Sequence, residues 1–413
     1  MNDKASRDLE SSARTLGESL RSIVAFGNRY NGTTGERKAR EYVLEEFRRH
    51  LPEVSVQDYS YLHYEPISSN LVVADENIPC KPLQYSSSGQ AVGEPVYIGE
   101  GTQGEIAALD ARGVKLEGKI AIARSFMPCI FTDILEERKI AGLVVLTDPP
   151  DDLIRCLAGR LFRQNMTPQK PSSHVLNFPG VTTSLKGADK LWSHALQGRT
   201  AVRVEHKASY ANRRSCNVFG AISGKKLKHQ KVVVGAHYDS QITGVGAYDN
   251  ATGVAALLEL ARIFGKRQFK RSIVLTAFSG EESGLWGSSS YVENNKDDLK
   301  VNCIGMINID GPCSVFPAQN TIWATGRMAN LALRKMKEVD CQIRKPVVDA
   351  SRFAFSDYYP FARVRVPVVW IFEYPPMPYY HTESDALQYV DLIKLAKASA
   401  VTRSMAFDLA SRA

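Results

Sequence analysis

The stretch SIVLTAFSGEESGLWGS, residues 272–288, joins an apolar run at 273–278 to a polar turn carrying two adjacent carboxylates, Glu281 and Glu282. The run has the length of a buried strand. Segments of the same two kinds recur on either side: strands are expected at 231–236, 303–309 and 366–372, and helices at 252–266, 285–294, 328–339 and 392–409. Short apolar strands separated by helix-length segments predict a layered α/β fold, since buried parallel strands read as near-continuous apolar runs. The expected form is a three-layer α/β/α sandwich with a mixed, mainly parallel central sheet. That places the Glu pair at the mouth of a buried strand. Neighbouring carboxylates repel, and burying them is costly unless a cation or hydrogen-bond donors compensate.

The chain has 413 residues, 44% of them hydrophobic, enough for a large core and for two domains or one domain with a sizeable insertion. Its formal charge of +8 is dispersed, and the one cluster, KKLKHQK at 225–231, reads as a hairpin or solvated loop. A nucleic-acid partner is therefore not expected. The seven cysteines are scattered without CxxC spacing, which suits a reducing compartment. The first residues are polar, and no apolar run approaches the roughly 20 residues of a membrane span. The expectation is a cytoplasmic protein without a membrane partner, or a secreted one if a leader has been removed; self-association is left open.

Residues 7–50 read as two helices separated by NRYNGTTGE, with a Thr-Thr-Gly-Glu start signal at 33–36, and a strand pair is expected at 54–64 and 70–74. From about residue 76 the texture changes to short strands divided by Gly and Pro, in EPVYIGEG, GKIAIARS, AGLVVLTDPP and PGVTTSL, with a helical stretch at 133–139. An inserted β-rich domain at 76–205 follows, dividing a main domain formed by 1–75 and 206–413.

Ligands of open α/β sheets bind beyond the carboxyl ends of the strands, so the polar residues that follow apolar strands carry the chemistry. These are His237 and Asp239 after VVVGA, Glu281 and Glu282 after VLTAF, Asp310 after GMINI, and Tyr380 and His381 after VPVVWIF and a proline-rich loop. Asp249 directly precedes a helix. Taken singly, each has an ordinary explanation as a cap, turn or loop residue. Together they would converge two histidines and several carboxylates on one small region with no basic residue to neutralise them, and a pair of divalent cations would. Imidazole with carboxylate suits zinc, and less selectively cobalt or manganese. Asp239, two residues beyond His237, can accept the second imidazole N–H and fix the tautomer.

The motifs HYD, GAYDNATG, SGEESGLWGS, INIDG, SDYYPF and YYHTESDAL, in this order, resemble the co-catalytic zinc aminopeptidase family, which includes bacterial leucine aminopeptidases, glutamate carboxypeptidase and the catalytically silent transferrin receptor. The insertion resembles a protease-associated domain through GKIAIARS, ERKIAGLVVLTD and FPGVTTSLKGADKL. The resemblance implies two zinc ions per chain: His237 and Asp310 on one, Glu282 and His381 on the other, Asp249 bridging. It further implies Glu281 as general base, Tyr380 as support for a developing oxyanion, and a cis peptide after Asp249. Thr252, where relatives often have serine, keeps a hydroxyl able to cap the following helix.

Peptides are the implied substrates. Carboxypeptidase relatives place arginines near the end of the strand at 366–372, where this chain has Val369, Trp370, Ile371 and Phe372. That favours an aminopeptidase for apolar N-terminal residues over a carboxypeptidase or dipeptidase. A single-zinc glutaminyl cyclase is disfavoured by the presence of both His237 and Asp310, and a non-enzymatic receptor by the full ligand set.

Overall fold

The computed structural model describes residues 3–160, 174–198, 201–341, 350 and 354–411. The chain divides into two compact units, Met1–Ser60 with Arg214–Ala413, and Tyr61–Arg213.

In the first unit the strands lie in the order Gln319–Ala324, Val368–Tyr374, Cys303–Ile309, Leu227–His237, Arg271–Phe278, followed by the parts of Val202–Ile222 and Glu53–Val73 that belong to it. The three central pairings, among Val368–Tyr374, Cys303–Ile309, Leu227–His237 and Arg271–Phe278, are parallel. Gln319–Ala324 and Val202–Ile222 flank them antiparallel. Parallel neighbours need long crossovers, and the chain supplies them as the helices Thr252–Phe264 and Trp286–Asn302.

Both faces of this sheet are covered. Alternate residues Val232, Val234, Ala236, Ile307, Ile309, Val369 and Ile371 join one core with Leu16, Leu20, Leu257, Leu331 and Val401 of the helices. Within it, Asp3–Val24 packs against Thr252–Phe264 and Leu392–Ser411. On the opposite face Phe278 and Tyr291 meet Phe361 of the helix Tyr358–Arg363, with ring centroids 6.2 and 5.7 Å away. A strand buried on two sides loses the in–out alternation of a half-exposed one, which is why these strands read as continuous apolar runs.

Local signals set most boundaries. Thr33 caps the helix Thr34–His50, its hydroxyl accepting the Glu36 amide at 3.1 Å. The expected strand pair at 54–64 and 70–74 is instead one strand, Glu53–Val73, because the turn-like EPISSN segment stays extended under long-range pairing. The strand Gln319–Ala324 was not anticipated, being short and polar at its start.

The second unit, within which residues 76–205 fall, holds a six-stranded sheet in the order Pro95–Tyr97, Ile120–Arg124, Gly142–Thr147, Gly180–Ser184, Lys81–Gln84, Leu157–Ala158. Its first four strands are parallel. The helices Gln103–Ala111, Thr132–Glu137 and Leu185–Leu196 accompany it. No helix among the described residues is long and apolar enough to cross a membrane.

Candidate metal centre

The expected site residues sit where a strand ends, where a helix begins or, for Tyr380 and His381, in a loop beyond a strand end of the first unit. His237 is the last residue of its strand, Glu281 and Glu282 follow Arg271–Phe278, and Asp310 follows Cys303–Ile309. Asp249 lies in the turn before Thr252–Phe264, and the peptide bond from Asp249 to Asn250 is cis. His381 takes φ +60 in the loop after Val368–Tyr374. The turn that carries the two glutamates is shaped from below: the buried Glu36 carboxylate accepts the Ser279 hydroxyl at 2.7 Å and the Ser215 hydroxyl at 2.6 Å. Gly280 then adopts φ +73, and a Cβ there would lie 2.4 Å from Asn31 Nδ2, so only glycine fits.

The ligand atoms form two groups. His237 Nε2 lies 3.2 Å from Asp249 Oδ1 and 3.3 Å from Asp310 Oδ1. His381 Nε2 lies 3.1 Å from Asp249 Oδ2 and 3.2 Å from Glu282 Oε2. Asp249 thus offers one oxygen to each group, as a bridging carboxylate must. Metal–ligand bonds of about 2.0 to 2.1 Å in a tetrahedron place neighbouring ligand atoms roughly 3.3 to 3.4 Å apart, close to all four separations. Glu282 Oε1 is buried with no hydrogen-bond partner, an orphan that a cation would satisfy. The residues present fit a pair of divalent ions.

Asp239 faces His237 as expected and does more besides. The nearest acceptor for His237 Nδ1 is the backbone carbonyl of Asp239 at 3.2 Å, with the carboxylate Oδ1 paired to it at 3.6 Å. The carboxylate also accepts the amides of Glu281 and Glu282, each at 3.2 Å, and so holds both glutamates against the histidine strand. Helix capping also shifts by two residues: Asn250 Oδ1 accepts the Gly253 amide at 2.9 Å, while the Thr252 hydroxyl donates back to the Tyr248 carbonyl at 2.8 Å.

Residues 217–406 match the sequence profile described as Peptidase family M28. The chain carries an M28 domain. It is 28% identical over 323 residues, covering 62% of the chain and 44% of that protein, to a probable glutamate carboxypeptidase of Arthroderma benhamiae. It is 26% identical over 401 residues, 93% of the chain and 82% of the relative, to aminopeptidase YwaD of Bacillus subtilis. The chain spans about half the length of several curated relatives it matches. Among solved structures, a zinc aminopeptidase from Bacillus subtilis, BSAP, superposes with a TM-score of 0.71 at 20% identity over 97% of this chain and 96% of that one. The architecture of the M28 domain is accordingly that of the zinc aminopeptidase fold.

Burial and mutual charge set the titration of the cluster. Burial raises the Glu281 carboxyl well above its ordinary range, against the pull of His237. Burial, reinforced by the Asp249 charge, raises Glu282 to about 7. Burial would lower both histidines, but Asp310 and Glu281 outweigh it at His237, and Glu282 and Asp249 carry His381 up to about 9. Burial likewise opposes the charge on Asp249, yet contacts from His237 and His381 hold that carboxylate far below the ordinary range. Tyr380, whose ring stacks on His381 at 3.6 Å between centroids, is raised by burial and by the surrounding carboxylates, and so stays a phenol.

Sequence reasoning missed several members of the M28 centre. Ser356 donates to Asp310 Oδ2 at 2.6 Å, and Gln241 Nε2 to Glu282 Oε2 at 3.1 Å. Asp385 accepts the amides of Tyr248 and Asp249 at 2.8 and 3.0 Å. The expectation of a cluster without a basic residue is also corrected: Arg29, fully buried, feels Asp385, Asp239, Asp249 and Glu282, although burial lowers its pKa to about 10. Ser356 and Asp385 lie inside the quoted motifs SDYYPF and YYHTESDAL, whereas Arg29 stands alone in NRYNGTTGE.

Proposed function

We propose that the M28 domain is a metal-dependent exopeptidase, and specifically an aminopeptidase using two divalent ions, zinc first among them. The observation that carries this reading is the pair of ligand groups sharing Asp249, with the buried Glu281 carboxyl beside them. His237 and Asp310 would hold one ion, Glu282 and His381 the other, and Asp249 both. When bound, such ions lower the pKa of a water molecule and polarise a scissile carbonyl.

The chain's own residues supply the remaining chemistry. The Glu281 carboxylate takes a proton from the attacking water and returns it to the leaving amine nitrogen. Asp239 keeps the carrier in place through the Glu281 amide. Tyr380, kept protonated, can donate its hydroxyl toward a developing oxyanion.

An apolar N-terminal residue is the favoured substrate end. On the strand whose Ile371 carbonyl accepts the Asp310 amide, Trp370 and Phe372 stack at 3.8 Å between centroids, and Trp323 of the neighbouring strand Gln319–Ala324 and Phe355 of the loop before Tyr358–Arg363 extend the aromatic group. Arginine positions that would grip a substrate carboxylate are absent from this stretch of sequence. The insertion is read as a protease-associated module. The test is hydrolysis of amino-acid p-nitroanilides beside N-blocked peptides and dipeptides. Release from free amino termini, abolished by chelator and restored by zinc, is expected. Activity confined to N-blocked peptides would overturn the aminopeptidase assignment.

A further inference from the structure

The turn that carries Asp249 is gripped from both ends by buried groups of opposite charge. On its carbonyl side the Arg29 guanidinium donates to the carbonyls of Val245 and Gly246, the latter at 3.0 Å, and through Nε to the Tyr238 carbonyl at 2.9 Å. On its amide side the two Asp385 oxygens take one amide each, Tyr248 N and Asp249 N. Arg29 is 0% exposed and Asp385 2% exposed. Each charge faces backbone dipole ends of opposite sign, and the two attract across the turn.

Asp385 also lies four residues beyond His381, on the loop that turns back through the Thr382 amide to the Tyr379 carbonyl at 3.1 Å and the Asp385 amide to the Thr382 carbonyl at 3.3 Å. One carboxylate therefore ties the loop bearing His381 to the turn bearing Asp249. These two residues supply two of the three ligand atoms in the group completed by Glu282. The other group, His237, Asp249 and Asp310, draws its remaining atoms from strand ends that Asp385 does not touch.

We infer that Asp385, backed by Arg29, is a positioning residue that sets the spacing between His381 and Asp249 and so governs binding of one ion of the pair selectively. This rests on the two-ion reading above. Asparagine at 385 could still accept one amide but would turn a donor toward the other. The consequence is greatest on the His381 side, where Asp385 acts on two of the three ligands; the other group shares only Asp249, and its His237 and Asp310 keep their own supports in Asp239 O and Ser356.

The test is stepwise zinc titration of the full chain by competition with a chromogenic chelator, with thermal unfolding of the metal-free protein as the measure of folding. D385N should weaken one of the two equivalents about 10- to 100-fold, as loss of outer-sphere support does, while the other weakens distinctly less. H381A should weaken the same equivalent, and the double variant should bind it no worse than H381A alone. Equal affinities for both equivalents in wild type and D385N would overturn the inference. So would a parallel loss in both equivalents accompanied by a lower metal-free Tm, the signature of a structural role alone. Should D385N fail to fold, D385E keeps the charge opposite Arg29 and displaces the carboxylate by one methylene, and the same selective loss is expected. A wild-type chain that takes up fewer than two equivalents would refute the two-ion reading instead.

Discussion

Glu281 and Glu282 are neighbours with different surroundings. Glu282 Oε2 meets His381 and the Gln241 amide, whereas Glu281 is steadied through its backbone by Asp239 and is charged against by Glu282 and Asp310. Their substitutions should separate. E281Q should reduce kcat by about 10²- to 10⁴-fold with metal content unchanged, read by steady-state hydrolysis beside metal analysis. E282Q should instead lose bound metal, and equal metal loss in both variants would reassign the pair. The ligand types were legible in the sequence because imidazole and carboxylate announce their chemistry wherever they stand. Arg29 and Asp385 were not, because both act on backbone carbonyls and amides, which no side-chain pattern reports. Asp239 was legible as a neighbour of His237, but its hold on the Glu281 and Glu282 amides was not, since those donors are backbone groups.

At the scale of elements, the parallel core was readable because helix-length segments separate apolar strands, and parallel pairing needs such crossovers. The long strand Glu53–Val73 was not, because its EPISSN centre has turn chemistry that only pairing overrides. Energetics follow the same division. T33A removes the hydroxyl that accepts the Glu36 amide and should cost about 1 kcal/mol, read from denaturant midpoints. Because Glu36 also holds Ser279, loss of that cap should in addition slow catalysis through the turn bearing Glu281. Leu257, fully buried in the middle of Thr252–Phe264, is a packing position, and L257A should cost about 2 to 5 kcal/mol with a matching fall in Tm. An L257A variant as stable as wild type would contradict the tight packing described for that helix.

For the whole molecule, the two units should respond differently to acid. In the second unit burial lowers His206 to about 4, and its Nε2 lies 3.4 Å from the Tyr64 hydroxyl. Between that value and the ordinary histidine value near 6.5, the unfolded chain binds the proton that the folded unit refuses. Stability therefore rises with pH across this window and is lost as pH falls from about 6.5 to 4, by up to roughly 3 kcal/mol. Thermal unfolding between pH 4 and 7 should show this slope, and H206Q should flatten it.

The first unit is assembled from two stretches of chain separated by the second, and this imposes an order on synthesis. At about 5 to 20 residues per second, the helix Leu392–Ser411 leaves the ribosome tens of seconds after Asp3–Val24, the helix it packs against. Until then Leu16, Leu20 and Ile23 lack part of their final packing, with only Thr252–Phe264 of the two partner helices already made, although each is at most 2% exposed in the finished fold. The contiguous segment Tyr61–Arg213 can close on itself meanwhile. The nascent chain thus carries a finished insertion and a waiting amphipathic helix.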